Sequence, residues 1–132
     1  MKKMNPVVHF EMPAVDPKRM SDFYSTVFGW KTKMLGAEMG NYVLATTSEA
    51  GEDGRPKMPG TINGGFFRKD EANPGQHPSV VIAVDDIQES MKALIAAGGQ
   101  LINEPMEIPG VGLFINFLDT EGNRSSLLQP NM

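Results

Sequence analysis

The sequence predicts an α+β fold made of two βαβββ modules, and three observations carry that prediction. Residues 7–30 read as a strand, a capped amphipathic helix and a glycine stop. The same order of signals returns at 79–99: setting Asp16 on Asp86 aligns Gly29 with Gly99, Phe23-Tyr24 with Ala93-Leu94 and Val27 with Ala97, at a constant spacing of 70 positions. Each of these helices is followed by short runs of β-forming residues rather than by further helical periodicity. Repetition of this kind implies that each sheet has one face covered by its own helix and the other facing a partner module.

Taken in order, residues 7–12 have the β-branched and aromatic content of a strand. Period 2 puts His9 and Glu11 on one face and Val8, Phe10 and Met12 on the other, with the apolar set turned toward the helix. Asp16 is a good N-cap, and Pro17 stands at the first helical position, where its missing N–H is no loss. Met20, Phe23, Tyr24 and Val27 then recur at i, i+3, i+4 and i+7 as one apolar stripe, and Gly29 ends the helix. Strands are expected at 31–35 and 42–46, around a turn at Gly36 and Gly40. A fourth is expected at 61–68, where Gly64 and Gly65 either bulge or let another group approach the backbone. Residues 47–60 read as a mobile loop by their Gly, Pro and charge.

The second module opens with a strand at 79–84, a helix capped by Asp85 or Asp86, and an apolar face of Ile87, Met91, Leu94, Ile95 and Ala97. Gly98-Gly99 ends it. Strands at 100–103, 113–118 and 124–129 complete it, separated by the Pro-containing stretch 104–110 and a turn at 119–122. The chain is thus expected to be a single domain, 1–132, of two modules, 5–69 and 78–130, joined by a linker at 70–77.

Bulk properties narrow the function. With 40% hydrophobic residues in 132, the chain can bury a real core. It has no cysteine, which removes disulfides, thiolate metal sites and cysteine nucleophiles. The two lysines near the N-terminus are followed by His9 and Glu11 instead of an apolar run, and no stretch approaches a membrane span. A soluble, cytoplasmic protein with no membrane partner is the expectation. The net charge of −4 is spread without a basic stripe, which argues against nucleic acid and leaves small molecules and protein partners.

His9, seven positions before Asp16, followed by the pattern of Pro17, Arg19, Phe23, Tyr24, Val27, Phe28, Gly29 and Trp30, resembles the opening module of the vicinal oxygen chelate superfamily. That group holds glyoxalase I, bleomycin-resistance proteins and extradiol dioxygenases. Residues 84–99 are similar to its second helix, and 118–130, LDTEGNRSSLLQP, to its closing hairpin. The resemblance implies a cup-shaped, partly open mixed β-sheet with flanking helices, holding a divalent metal in the enzymes of the family. Of the four ligand positions it implies, His9 fills the first. Ser79, or Pro78 in a shifted register, stands at the second, Gly64 or Gly65 at the third, and Ser126 where a glutamate is expected. One position in four retains a strong donor, and hydroxyls or glycine cannot replace the others. No metal and no other cofactor is therefore expected.

The resulting expectation is a glyoxalase-related protein that binds a small organic ligand in the cup without a bound metal. His9 is either a residual general base or a structural histidine, and Glu11 either its partner or the partner of Arg68 or Arg124. Phe66, Phe114, Asn116, Ser79, Ser126 and Leu128 are the candidate cup lining. Two alternatives stand beside this: a metal-dependent lyase, isomerase or dioxygenase using His9, Glu11 and His77, and an interaction module with an empty cup. A twofold homodimer is expected for each.

Overall fold

Local signals place both helices where the sequence puts them. The computed structural model describes residues 3–53, 57–70, 72 and 76–131. Parts of the expected loop 47–60 and linker 70–77, namely 54–56, 71 and 73–75, lie outside the described residues. Helix α1 runs Pro17–Phe28, with the Asp16 carboxylate accepting from the Arg19 amide at 3.1 Å. Gly29 closes it at φ 73°, a left-handed conformation that glycine adopts without strain. Helix α2 runs Ile87–Ala96 and is capped from two directions. Asp86 Oδ1 accepts from the amides of Gln88 and Glu89, and Gln129 Oε1 accepts from that of Ile87. Three first-turn amides thus have partners, which is why Asp86 rather than Asp85 starts the helix.

Nine strands accompany the helices: β1 Val7–Ala14, β2 Lys31–Met34, β3 Val43–Thr46, β4 Asn63–Arg68, β5 Ser79–Ala83, β6 Gln100–Leu101, β7 Met106–Ile108, β8 Gly112–Leu118 and β9 Arg124–Pro130, counted among the described residues. A short 3-10 turn at Ala37–Met39 links β2 and β3. Strand β7 lies inside the proline-containing stretch read as a separator. Met106 and Ile108 pair with Phe114 and Gly112 of β8, so the hairpin partner, which is distant in sequence, makes this strand.

The chain divides into two units, His9–Pro78 and Ser79–Met132 together with Met1–Val8. In the first, the strand order is β2-β3-β4-β1, with β1 and β4 parallel and the other pairs antiparallel. In the second it is β6-β8-β9-β5, with β5 and β9 parallel, the other pairs antiparallel, and β7 added to β8. Strand for strand these orders match, β1 with β5, β4 with β9, β3 with β8 and β2 with β6. The repeat in sequence is thus a repeat of the βαβββ fold. The boundary between units falls within β1: the second unit takes residues up to Val8, and Pro6 C=O accepts from the Ala83 amide at 2.9 Å.

Each unit has its own core beneath its helix. In the first, Ala14, Val43, Ala45 and Phe66 are buried, with Phe10, Met12, Met20, Tyr24 and Trp30 packed against them. Tyr24 and Trp30 stack with ring centroids 4.7 Å apart. In the second, Val84, Ile87, Ile115, Phe117 and Leu127 are buried, with Ile82, Met91, Leu94, Leu101 and Leu113 around them. Full burial of a side chain such as Phe66 or Ile87 is worth about 1.5–3 kcal/mol. Two predicted helix faces are narrower than expected. Phe23 and Val27 are 54% and 56% exposed, and Ile95 is 57% exposed. Phe23 and Ile95 lie about 100° around the helix from Tyr24 and Leu94, beyond the ridge that meets the sheet.

The closing turn is held by one carboxylate. Asp119 accepts from the amides of Glu121 and Asn123, each at 2.9 Å, and these bonds keep its carboxyl below the usual carboxylate range. None of the helices among the described residues is long and apolar enough to cross a membrane.

Candidate functional site

The register of β4, undetermined in the sequence, decides what can surround His9. His9 pairs with Asn63, Glu11 with Gly65, and Pro13 with Phe67, so these residues share the face opposite α1. Gly64 and Phe66 fall on the helix face. Phe66, expected to line a cup, is fully buried in the core against Tyr24 and Trp30. Its partner across the sheet is Val43, another core residue, which leaves no freedom to turn it outward.

The two adjacent glycines let two aromatic rings cross the sheet on opposite faces. A Cβ on Gly64 would enter the ring of Phe10, and one on Gly65 would enter that of Tyr42. Neither glycine makes a bulge, since the β1 to β4 pairing runs through both without interruption. Tyr42 precedes β3, two strands away from β1, a span of about 9–10 Å. Its side chain passes over Gly65 to reach β1, where the hydroxyl lies 3.0 Å from Glu11 Oε2 and 3.0 Å from His9 Nε2. Sequence reading missed Tyr42, and the pair of glycines flanked by strand residues was the one signal that could have found it.

Counting protons orients this chain. The hydroxyl has one hydrogen, and it donates it to the Glu11 carboxylate, which has none to give. His9 Nε2 must then donate to the Tyr42 oxygen, so a neutral His9 carries its hydrogen on Nε2. Nδ1 is left as an acceptor with no hydrogen-bond partner among the described residues. Burial holds the His9 pKa below its ordinary value, favouring the neutral ring. Burial, and then the charge and hydrogen bond of Glu11, push the Tyr42 hydroxyl far above its usual range, so it remains a donor. Tyr42 is one partner of Glu11; Arg68 stands on the other face of β4.

These residues do not fit a divalent metal. The third position is Gly65, the space above it holds the Tyr42 ring, and the hydroxyl there is a neutral group already shared by His9 and Glu11. Among the described residues no three His, Cys, Asp or Glu side chains gather to hold an ion. His77 is exposed, before β5, and does not join His9 and Glu11.

In the second unit, Phe114 pairs with Leu128 and Asn116 with Ser126, while Ile115 and Leu127 point into the core. Phe114, Asn116, Ser126 and Leu128 therefore share the face opposite α2, and Ser79 joins them through the Val81 to Ser126 pairing. Ser126, where a glutamate was expected by resemblance, is buried and donates to Asn116 Oδ1 at 2.6 Å. Two clefts open on the first unit. One of about 420 Å³ runs along Lys31 and Thr46–Ala50, and one of about 360 Å³ lies between Pro13 and Phe23. Neither includes His9 or Glu11.

Comparison with known proteins gives the fold a family. The model of the Glyoxalase/Bleomycin resistance protein/Dioxygenase superfamily matches residues 7–127. The protein CFP32 of Mycobacterium bovis is 35% identical over 111 residues, 82% of this chain and 38% of that protein. The chain thus spans well under half of that relative. A glyoxylase-like domain-containing protein of Didymella fabae is 31% identical over 120 residues, 89% of this chain and 88% of its own. Among solved structures, hypothetical protein BH1468 from Bacillus halodurans aligns with a TM-score of 0.70 at 17% identity, covering 98% of this chain and 97% of its own. At that identity the likeness is one of fold.

Proposed function

Because the chain belongs to the Glyoxalase/Bleomycin resistance protein/Dioxygenase superfamily, the donor set around His9 is the feature to explain, and we propose that the protein binds a small, partly apolar organic ligand without a divalent metal. The observation that carries this reading is the Tyr42 hydroxyl, shared by His9 and Glu11 above Gly65. It satisfies with hydrogen bonds two residues that otherwise offer donors to an ion. His9 and Glu11 are the proposed polar contacts on the open face of the first module. Ser79, Phe114, Asn116, Ser126 and Leu128 are proposed contacts on the equivalent face of the second. Phe66 is withdrawn from that set because the core holds it.

The protein is further proposed to act in the cytoplasm, as a twofold homodimer and without nucleic acid. Elemental analysis of the untagged protein tests the central reading, with less than a tenth of an equivalent of any divalent transition metal expected, and a stoichiometric, dialysis-resistant ion overturning it. Light scattering tests the dimer.

A further inference from the structure

We propose that Tyr42 is a positioning residue that makes His9 a one-sided hydrogen-bond acceptor, and that the group it accepts from is a weakly acidic hydroxyl, a phenol or an enol; this rests on the metal-free reading above. In the chain from Nε2 through the Tyr42 oxygen to Glu11, every hydrogen points toward the carboxylate. On the imidazole, Nδ1 has the lone pair left to offer. Hydrogen bonds in series polarise one another, so an imidazole backed by a hydroxyl and a carboxylate accepts more strongly than one alone.

The same face sorts the possible donors. An anion meets a lone pair at Nδ1 and finds no hydrogen there. Lys31 and Lys33, which pair with Thr46 and Leu44, share this face but stand on β2, three strands from β1, so the neutral acceptor at Nδ1 decides the donor. A neutral donor on an apolar frame fits best, because Leu44 and Phe67 share the face on β3 and β4. Among neutral donors, phenols and enols give the strongest hydrogen bond to an imidazole nitrogen, being the most acidic of them.

Two measurements on the full chain test this. Nitrogen-15 NMR of the histidine rings, with His9→Gln to separate His9 from His77, is expected to show His9 in the Nε2–H form, and Tyr42→Phe to move it toward a tautomer mixture. An unchanged tautomer in Tyr42→Phe overturns the positioning role. Titration with phenol and with anisole, which has the same frame but no hydroxyl hydrogen, reads the ligand class. At least about tenfold tighter binding of the phenol is expected, falling toward parity in Tyr42→Phe and in His9→Gln. Equal affinity for both probes overturns the acceptor role and leaves the metal-free reading standing. Failure of both probes to bind also overturns it, and elemental analysis then decides the metal-free reading separately.

Discussion

At the scale of single residues, Gly65 controls the site without contributing an atom to its chemistry. Substituting Gly65→Ala puts a methyl group where the Tyr42 ring crosses the sheet, and the strand cannot retreat because both its neighbours pair through this position. Tyr42 must leave, and Glu11 and His9 lose a shared partner in a half-buried place. The expected loss is about 1–3 kcal/mol, from overpacking and the two lost hydrogen bonds, read as a lower urea midpoint with an unchanged slope. His9 makes a second prediction. Its folded pKa is depressed by burial, so below the unfolded value near 6.5 the unfolded chain binds the proton first. Stability is complete above that pH and falls as pH drops below it. His9→Gln is expected to flatten the fall between pH 7 and pH 5, and an equal slope in wild type and variant would assign it to other groups. The face of His9 and Glu11 was legible from period 2 alone. Tyr42 was not, because it joins residues some thirty positions earlier across an intervening strand whose register no local pattern records.

Among the elements, those whose ends are fixed by chemistry within three residues were legible, and those fixed by a distant partner were not. Asp16 with Pro17, and Asp86 with its two amides, start both helices as read. Strand β7 exists because β8 pairs with it, and Phe66 faces inward because β3 and β1 set its register. The apolar stripe of α1 was over-read for a related reason. Periodicity finds the side chains that can be buried, and the width of the surface beneath decides how many are. The double capping of α2 gives a test at this scale. Asp86→Ala is expected to lower stability by about 1 kcal/mol, and Gln129→Ala by a similar amount, since it strips the acceptor from the Ile87 amide in the core. Urea unfolding checks both, and no change in either variant would mean that packing alone holds the first turn of α2.

For the whole molecule, the repeat is stricter in three dimensions than in sequence. The two strand orders coincide with β7 as an addition, while the chemistry of the two faces opposite the helices has diverged. One carries a histidine, a carboxylate and a borrowed tyrosine, and the other a serine bonded to an asparagine. The second unit also draws on the N-terminus: Pro6 C=O serves the Ala83 amide, and Lys3 meets Asp85 at 2.9 Å. The ion pair is exposed and contributes little, but the backbone bond extends the sheet at β5. A fragment of residues 79–132 is therefore expected to be poorly structured alone and to gain helix and strand signal in circular dichroism when a peptide of residues 3–8 is added. Folding of the fragment without the peptide would show the N-terminal segment to be dispensable.

That division of the first strand bears on how such a chain can be cut and rejoined. A recombination that exchanged modules at the proline- and glycine-containing connection near residue 75 would look natural in sequence, yet it would hand the new second module a foreign edge. Exchange of 9–78 as one block, with breakpoints after residue 8 and after residue 78, instead keeps the Pro6 to Ala83 bond within one parent. One of the two breakpoints in chimaeras of this chain therefore belongs inside its first strand, at a place where neither composition nor punctuation marks a seam.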